Sequence, residues 1–408
     1  MRAALSARML VAAIMGFASG LPLLLTGSVL QAWMNDEGVD LGTIGLFALV
    51  GLPYTLKFLW APLMDRFTPN RFGRRRGWLL IYQVALISAL LLLSLAQPAA
   101  DTWWLAVAAL LVTFFSASQD IVIDAYRREA LADDEQGLGA SLYVNGYRVG
   151  MLLASGGGLI LADHMNFAQV YQLMAGFMLV GVVTTVFAPE PPLAEGVPNT
   201  LREAVVQPFV EYFMRRDAVL ILAFILLYKI GDTMASHMTT PFYLDIGFSK
   251  TEIGTVVKLF GFWATIVGGL IGGVLIMRLG IFRSLWIFGI LQGVSTAGFA
   301  VLAQMGPSIA GLAAVITFEN LSGGMGTAAY IAYMASLTNK KFTATQYALL
   351  SSLMGVPRVI AAAPTGYLAG AMGWSAFFVA CALIALPGLL LLRWLHGRGS
   401  DERPHREG

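Results

Sequence analysis

The sequence predicts an all-α integral membrane protein with twelve transmembrane helices. Of its 408 residues, 57% are hydrophobic and only 12% are charged, against about 25% charged residues in a typical soluble protein. A chain so poor in charge cannot cover the surface of a soluble protein of this length with polar groups. The composition therefore excludes a soluble enzyme, a disordered chain and a nucleic-acid-binding protein.

The spans are apolar runs of about 20 residues, the helix length that crosses about 30 Å of hydrocarbon. Spans one to six are predicted at residues 9–34, 41–64, 77–96, 102–125, 137–162 and 167–188. Spans seven to twelve are predicted at residues 217–244, 251–277, 281–304, 307–336, 343–370 and 374–395. Pro and Gly inside these runs bend a span rather than end it, because neighbouring helices satisfy the freed backbone groups.

The distribution of positive charge orients these spans. Most of the 26 Lys and Arg lie in the segments on one side, which is the side of both termini, whereas the opposite loops hold only Lys250. By the positive-inside rule, both termini are expected in the cytoplasm. The net charge of +2 indicates no nucleic-acid partner. The single Cys381 excludes an intramolecular disulfide and a cysteine metal site, no His pair has metal-ligand spacing, and no cofactor or metal is expected.

The longest connection divides the chain into two six-helix halves. The predicted organisation is an N-terminal bundle, a cytoplasmic linker with an amphipathic helix on the inner membrane surface, a C-terminal bundle and a cytoplasmic tail, at residues 1–188, 189–216, 217–396 and 397–408. The halves form a pseudo-repeat, because residues 43–45, 65–66 and 147–149 resemble residues 252–254, 277–278 and 357–359 at nearly one offset. Such repeats are typical of secondary transporters, whose site lies between the repeats near the midplane.

Several ionisable residues fall inside the predicted spans, where each costs roughly 2.5–3.5 kcal/mol at a helix centre. They are Lys57, Asp120, Asp124, Arg148, Lys229, Asp232, Lys258, Glu319 and Arg358. So many buried charges indicate a wet cavity or mutual pairing, and the default interpretation is a functional site.

The four acids are candidates for carrying a coupling proton, and each has a structural alternative. Asp120 and Asp124 share one helix face, where burial and like charge favour protonation; the alternatives are pairing with Arg148 or, for Asp124, exposure at the cytoplasmic end. Asp232 stands three residues after Lys229, so the two also form a plausible structural pair. The alternative for Glu319 is an ion pair with Lys258 or Arg358.

The basic residues are candidates for binding a carboxylate. Arg148 and Arg358 occupy equivalent places in the two halves, and a guanidinium fork suits a carboxylate of substrate or protein. Lys57, flanked by Tyr54, offers a cation beside an aromatic face, although its side chain could equally extend toward the cytoplasm. Gln31 at the outer end of span one is a candidate contact at the outer mouth.

The loop between spans two and three reads Ala61-Pro62-Leu63-Met64-Asp65-Arg66, then Gly73-Arg74-Arg75-Arg76. This string resembles the loop signature of the major facilitator superfamily. Ala61 stands where Gly is usual, the loop is several residues longer, and the second-half copy has Met277 in place of the acid. The resemblance implies a fold of two six-helix bundles, with Asp65, Arg66, Arg74 and Arg75 helping to latch the halves on the cytoplasmic side. The alternative is that these charges only orient the protein.

Longer strings resemble the AmpG-type muropeptide permeases, at residues 16–27, 30–33, 57–66, 73–78, 116–122 and 146–151. The resemblance implies a monomeric bacterial inner-membrane importer driven by protons. Its cargo would be N-acetylglucosaminyl-1,6-anhydro-N-acetylmuramic acid with or without a stem peptide, taken up for murein recycling and, in some bacteria, β-lactamase induction. Stem-peptide carboxylates suit Lys57, Arg148, Lys229 and Arg358, and sugars suit Gln31, Tyr54, Gln119, Tyr147 and Asn320.

Two other functions remain open from the sequence. One is a major facilitator transporter of another cargo, such as an acyl-coenzyme A, a siderophore or a drug. The other is a membrane sensor or scaffold, which the buried basic residues disfavour. No enzyme constellation is found, so no catalytic residue is expected.

Overall fold

The computed structural model describes residues 6–39, 43, 47–69, 71–162, 164–192, 200–249, 252–355, 361 and 364–397, and its elements are helices. Up to the linker the α-helices are Ala7–Leu25, Ser28–Asp36, Leu52–Leu56, Ala61–Arg66, Arg74–Ser94, Thr102–Ala130, Gln136–Leu152, Gly158–Ala162, Phe167–Phe177 and Leu179–Phe187. The linker helix is Leu201–Met214, followed by Ala218–Tyr228, Ile230–Asp245, Gly261–Leu279, Ile281–Met305, Ile309–Ser336, Thr343–Leu353, Thr365–Met372, Trp374–Ile384 and Leu386–Gly397. Short 3₁₀ turns cover Phe47–Gly51 and Lys57–Leu59, and π-helical turns cover Leu153–Gly157 and Ile253–Phe260.

Eight helices among the described residues are long and apolar enough to cross a membrane. They are Ala7–Met34, Arg74–Ser94, Thr102–Ala130, Phe167–Phe187, Ala218–Tyr243, Thr255–Leu279, Ile281–Met305 and Trp374–His396. They correspond to predicted spans one, three, four, six, seven, eight, nine and twelve. The other four predicted spans are helical over most of their described residues but are broken or more polar. The prediction of an all-α membrane fold is confirmed.

Spans two and seven are each interrupted at a lysine. Span two consists of short helical pieces around Pro53 and Pro62, because proline supplies no N–H to the helix, and Lys57 begins the 3₁₀ turn between them. Span seven is two helices, Ala218–Tyr228 and Ile230–Asp245, which meet at Lys229. In many secondary transporters, interrupted helices form the substrate and coupling-ion sites.

The chain divides into two compact units. The first comprises Met1–Pro208 and Ala335–Ser352, and the second comprises Phe209–Met334 and Leu353–Gly408. Residues 335–352, which the sequence places in the second half, therefore pack with the first unit. The first unit packs a core of apolar side chains that includes Leu25, Trp33, Leu90, Val112 and Tyr171. The second unit packs an aromatic core that includes Phe242, Phe299 and Phe378.

The linker contains the predicted helix, at Leu201–Met214. Its buried residues Ala204, Pro208 and Tyr212 lie four residues apart and form one face. Val206 and Val210 on another face are 45% and 48% exposed. An exposed apolar face fits the predicted position on the inner membrane surface, which stays a prediction.

Glycines bring the first and fifth spans into backbone contact. A Cβ at Gly20 would lie 2.0 Å from the carbonyl oxygen of Tyr147, and a Cβ at Gly16 would lie 2.1 Å from that of Tyr143. Only glycine allows two helix backbones to approach this closely. The approach places Ser19, on the same helix as both glycines, beside Tyr143.

Replacing Gly20 with alanine is expected to lower the thermal stability of the purified protein. The added methyl group overlaps a backbone oxygen that cannot move alone, and overpacking of this kind costs about 1–3 kcal/mol. The midpoint of thermal unfolding in detergent measures the effect. Gly176→Ala is the matched control, since nothing lies within 4 Å of its added Cβ. An unchanged midpoint for Gly20→Ala would contradict the close packing.

Candidate functional site

The first unit buries a cluster of charges around two carboxylates of the helix Thr102–Ala130. Asp120 and Asp124 are 7% and 5% exposed. The Ser19 hydroxyl donates a hydrogen bond to Asp120. Lys57, at the interruption of span two, is 7% exposed and interacts electrostatically with both carboxylates. Lys57 of predicted span two thus faces Asp120 and Asp124 of predicted span four.

Tyrosines surround this first cluster. The Tyr54 hydroxyl donates to Ser116 at 2.8 Å, and both Tyr54 and Tyr143 lie close enough to Asp120 to sense its charge. The rings of Tyr143 and Tyr147 have centroids 6.2 Å apart. Arg148 follows Tyr147 on the same helix and is half-buried. Aromatic faces and hydroxyls beside charges suit a sugar that carries a carboxylate.

Some alternatives raised by the sequence are wrong. Asp124 is buried rather than exposed at the cytoplasmic end, and its carboxylate lies 3.8 Å from Nη2 of Arg127. Lys57 is buried instead of extending into the cytoplasm. The remaining two candidates lie apart from the charges: Gln119 is fully buried and donates to the carbonyl of Ala18 at 3.0 Å, and Gln31 is exposed.

The second unit contains another cluster of a lysine and two acids. The Nζ of Lys229 lies 3.0 Å from Asp232, so the predicted pair forms. Glu319 interacts electrostatically with Asp232 and accepts a hydrogen bond from Ser295 at 2.5 Å. Ser295 in turn lies 2.9 Å from the Ser322 hydroxyl.

The proximity of Glu319 and Asp232 has a chemical consequence. Two ionised carboxylates that are close together repel each other, which favours the binding of one proton by the pair. Lys229 lies 3.0 Å from Asp232 and offsets its charge. The arrangement is therefore suited to gaining and losing one proton.

Neighbouring candidates complete the description of the second unit. Asn320 accepts a hydrogen bond from Thr265 at 2.7 Å and donates one to the carbonyl of Ile316, so its amide already braces two helices. The side chain of Lys258 and the whole of Arg358 lie outside the described residues. Among the residues that are described, no group of three or more His, Cys, Asp or Glu side chains is arranged to hold a metal ion.

A third cluster lies at the predicted cytoplasmic end of the first unit. Arg75 is fully buried and contacts Asp65 at 2.8 Å and Glu129 at 2.5 Å. Arg74 contacts Glu129 at 3.1 Å. Of the four residues named from the loop signature, the structure brings Asp65, Arg74 and Arg75 together. Arg66 instead lies over the ring of its neighbour Phe67.

Asp65 also holds the start of the helix Thr343–Leu353. Its carboxylate accepts hydrogen bonds from the backbone N–H groups of Ala344 at 3.1 Å and Thr345 at 2.9 Å, and from the Thr345 hydroxyl at 2.8 Å. A carboxylate at a helix N-terminus satisfies free N–H groups and complements the helix dipole. One acid thus joins the arginine loop to residues 335–352.

Two members of this cluster were missed from the sequence. Glu129 neutralises the arginines, and Glu190 accepts from the backbone N–H groups of Arg75 at 2.8 Å and Arg76 at 2.9 Å. Gly73 has φ +102°, and a Cβ there would lie 2.4 Å from the Glu190 carboxyl carbon. An arginine-rich loop was the sequence feature that could have indicated these two acids, because buried arginines require carboxylate partners.

Comparison with known proteins agrees with this architecture. The family model described as Major Facilitator Superfamily matches residues 9–362 and again residues 230–408. A solved structure of the proton:xylose symporter XylE, bound to 6-bromo-6-deoxy-D-glucose, superposes with a TM-score of 0.71 at 10% identity, covering 95% of each chain. At that identity the likeness establishes the fold alone.

Relatives of higher identity narrow the family. The anhydromuropeptide permease of Escherichia coli K12 is 49% identical over 381 residues, which are 93% of this chain and 78% of the relative. An uncharacterized protein of Haemophilus influenzae is 42% identical over 400 residues, covering 95% of this chain and 94% of the relative. The chain belongs to the major facilitator superfamily and, within it, to the AmpG-type muropeptide permeases.

Proposed function

We propose that the protein imports anhydro-muropeptides across the bacterial inner membrane, driven by the proton gradient, through alternating access. The cargo is N-acetylglucosaminyl-1,6-anhydro-N-acetylmuramic acid with or without its stem peptide. The relative of 49% identity is named for this class of cargo. One structural observation carries the proposal: each unit places a lysine at a helix interruption, Lys57 and Lys229, facing two carboxylates.

The first cluster supplies four of the nine proposed substrate contacts. Lys57 and Arg148 would bind the substrate carboxylates, while Tyr54 and Tyr147 would face the sugar rings. Gln31, Gln119, Lys229, Asn320 and Arg358 stay proposed contacts from the resemblance. The substrate exchanges no covalent bond with the protein, so these residues bind and orient rather than catalyse.

Proton coupling is assigned to the acids. Asp232 and Glu319 are the proposed carriers, because two neighbouring carboxylates favour the binding of one proton between them. Asp120 and Asp124 face two cations, Lys57 and Arg127. Their proposed role is to respond to the arrival of substrate or a proton.

The cytoplasmic cluster is the proposed gate. Asp65, Arg74 and Arg75 hold residues 335–352 in the first unit, and opening would require these contacts to separate. Arg66 stays a proposed gating residue from the loop signature. The two predicted six-helix bundles would move as one monomer within the bilayer.

Uptake into proteoliposomes tests the function. Labelled anhydro-muropeptide is expected to accumulate when the interior is about 1 pH unit more alkaline. With one proton per substrate that gradient yields about tenfold accumulation, since about 1.4 kcal/mol is a factor of ten. An uncoupler should abolish accumulation. Uptake indifferent to the gradient would contradict proton coupling.

A competition series in the same vesicles tests the cargo. Unlabelled anhydro-muropeptide should compete fully, whereas an acyl-coenzyme A, a siderophore or a cationic drug should not. Competition by one of these and not by anhydro-muropeptide would contradict the assigned substrate. Protein-free liposomes serve as the control for leakage.

A further inference from the structure

We propose that Ser19 and Tyr143 form a hydroxyl relay through which the charge of Asp120 controls the docking of residues 335–352 on the first unit. The relay rests on the proposed function, in which Asp120 changes state during transport. Neither residue is assigned to substrate binding, so both are positioning residues. The argument follows the hydrogen bonds outward from Asp120.

The direction of the first two hydrogen bonds is fixed by proton count. The Ser19 hydroxyl has one proton, and it is donated to Asp120. The oxygens of Ser19 and Tyr143 are 3.1 Å apart. Because the only hydroxyl proton of Ser19 is already committed, Tyr143 must be the donor in this second bond. Both hydroxyl protons therefore point toward the Asp120 carboxylate.

Tyr143 also contacts Arg127, which leads to residues 335–352. Arg127 is 2% exposed, and its Cζ lies 5.3 Å from the ring centroid of Tyr143 and 5.6 Å from that of Tyr347. Its Nη2 donates to the Tyr347 hydroxyl at 3.1 Å. The guanidinium thus joins a tyrosine of span five to a tyrosine of the helix Thr343–Leu353.

Arg127 is held by few polar contacts. Among the described residues, its Nε and Nη1 have no hydrogen-bond partner, and Asp124 lies at 3.8 Å, beyond hydrogen-bond distance. Buried donors without partners are costly, so a rearrangement that gave Nε or Nη1 an acceptor would be favourable. The position of the guanidinium therefore depends on its contacts with Tyr143, Asp124 and Tyr347.

Neutralising Asp120 reverses the direction of the hydrogen bonds that connect Asp120, Ser19 and Tyr143. A neutral Asp120 gains a donor and can donate to Ser19, which lets Ser19 donate to Tyr143 instead. The Tyr143 proton then turns toward Asp124, whose charge it already senses. Asp124 attracts Arg127 less, and the contact of Arg127 with Tyr347 loosens. Only hydrogen bonds are exchanged, and Lys57, Asp124 and Tyr54 are the other groups facing Asp120.

Spin-label distances test the relay. Labels are attached at Asp134→Cys and Lys341→Cys, both exposed positions, in a Cys381→Ser background, and their separation is measured by double electron–electron resonance in nanodiscs. Asp120→Asn mimics the neutral acid and is expected to raise the long-distance population several-fold. Combined with Ser19→Ala or Tyr143→Phe, Asp120→Asn should cause no additional change, because the relay is already broken.

Two variants serve as controls. Ser19→Thr keeps the hydroxyl and should restore the response to Asp120→Asn. Ser155→Ala removes a hydroxyl that bonds only within its own helix and should leave the response intact. A full response to Asp120→Asn in the Ser19→Ala background, or none in the parent, would overturn the relay. The distances require no substrate, so an error in the assigned cargo would appear in the uptake assay alone.

Discussion

Replacement of Arg75 with alanine is expected to abolish gradient-driven uptake and to destabilise the protein strongly. Arg75 is fully buried and contacts Asp65, Glu129 and the carbonyl oxygen of Met64. Its removal leaves two buried carboxylates without their shared cation. Breaking a buried ion pair from one side costs about 3–5 kcal/mol, a large part of the stability of a typical protein.

Thermal unfolding in detergent and uptake in proteoliposomes measure the two effects. Arg75→Lys keeps the charge but loses the fork that bonds both acids, so an intermediate result is expected. Arg71→Ala is the matched control, since Arg71 belongs to the same loop but is exposed and lies over the ring of Phe72. Wild-type stability and uptake for Arg75→Ala would show that the cluster holds nothing in place.

The fold was largely predictable because a membrane-spanning segment must be apolar, and apolar segments are visible in the sequence. A run of apolar residues long enough to cross the bilayer has few structural options other than a helix. The breaks were harder to foresee. Pro53 and Pro62 marked the irregular second span, whereas the interruption at Lys229 has no proline or glycine at the break itself and depends on surrounding packing.

The candidate sites were predictable in membership but not in pairing. Charges inside apolar runs identified Asp120 and Glu319, because burial makes such residues expensive. Their partners come from other helices: Ser19 is 101 residues from Asp120, and Glu129 is 54 residues from Arg75. Sequence spacing shows which residues share a face of one helix. Which side chains of different helices meet depends on how the helices pack.

Neutral replacement of Glu319 or Asp232 is expected to separate exchange from accumulation. Glu319→Gln and Asp232→Asn each remove a group that gains and loses a proton, while keeping a hydrogen-bonding amide of similar shape. Counterflow, in which labelled and unlabelled substrate exchange, requires no net proton movement and should persist. With an interior about 1 pH unit more alkaline, the ratio of internal to external substrate should fall from about ten to about one.

A matched control tests whether the loss is specific to the pair of Glu319 and Asp232. Glu252 lies in the same unit, and hydrogen bonds from the backbone N–H and the hydroxyl of Ser249 hold the pKa of its carboxyl below the ordinary value, so it stays ionised throughout the assay. Glu252→Gln should therefore accumulate substrate normally. Full accumulation by both Glu319→Gln and Asp232→Asn would place the proton elsewhere. Because the two acids are proposed to carry one proton between them, either replacement alone should uncouple transport, and the double variant should be no worse than the single ones.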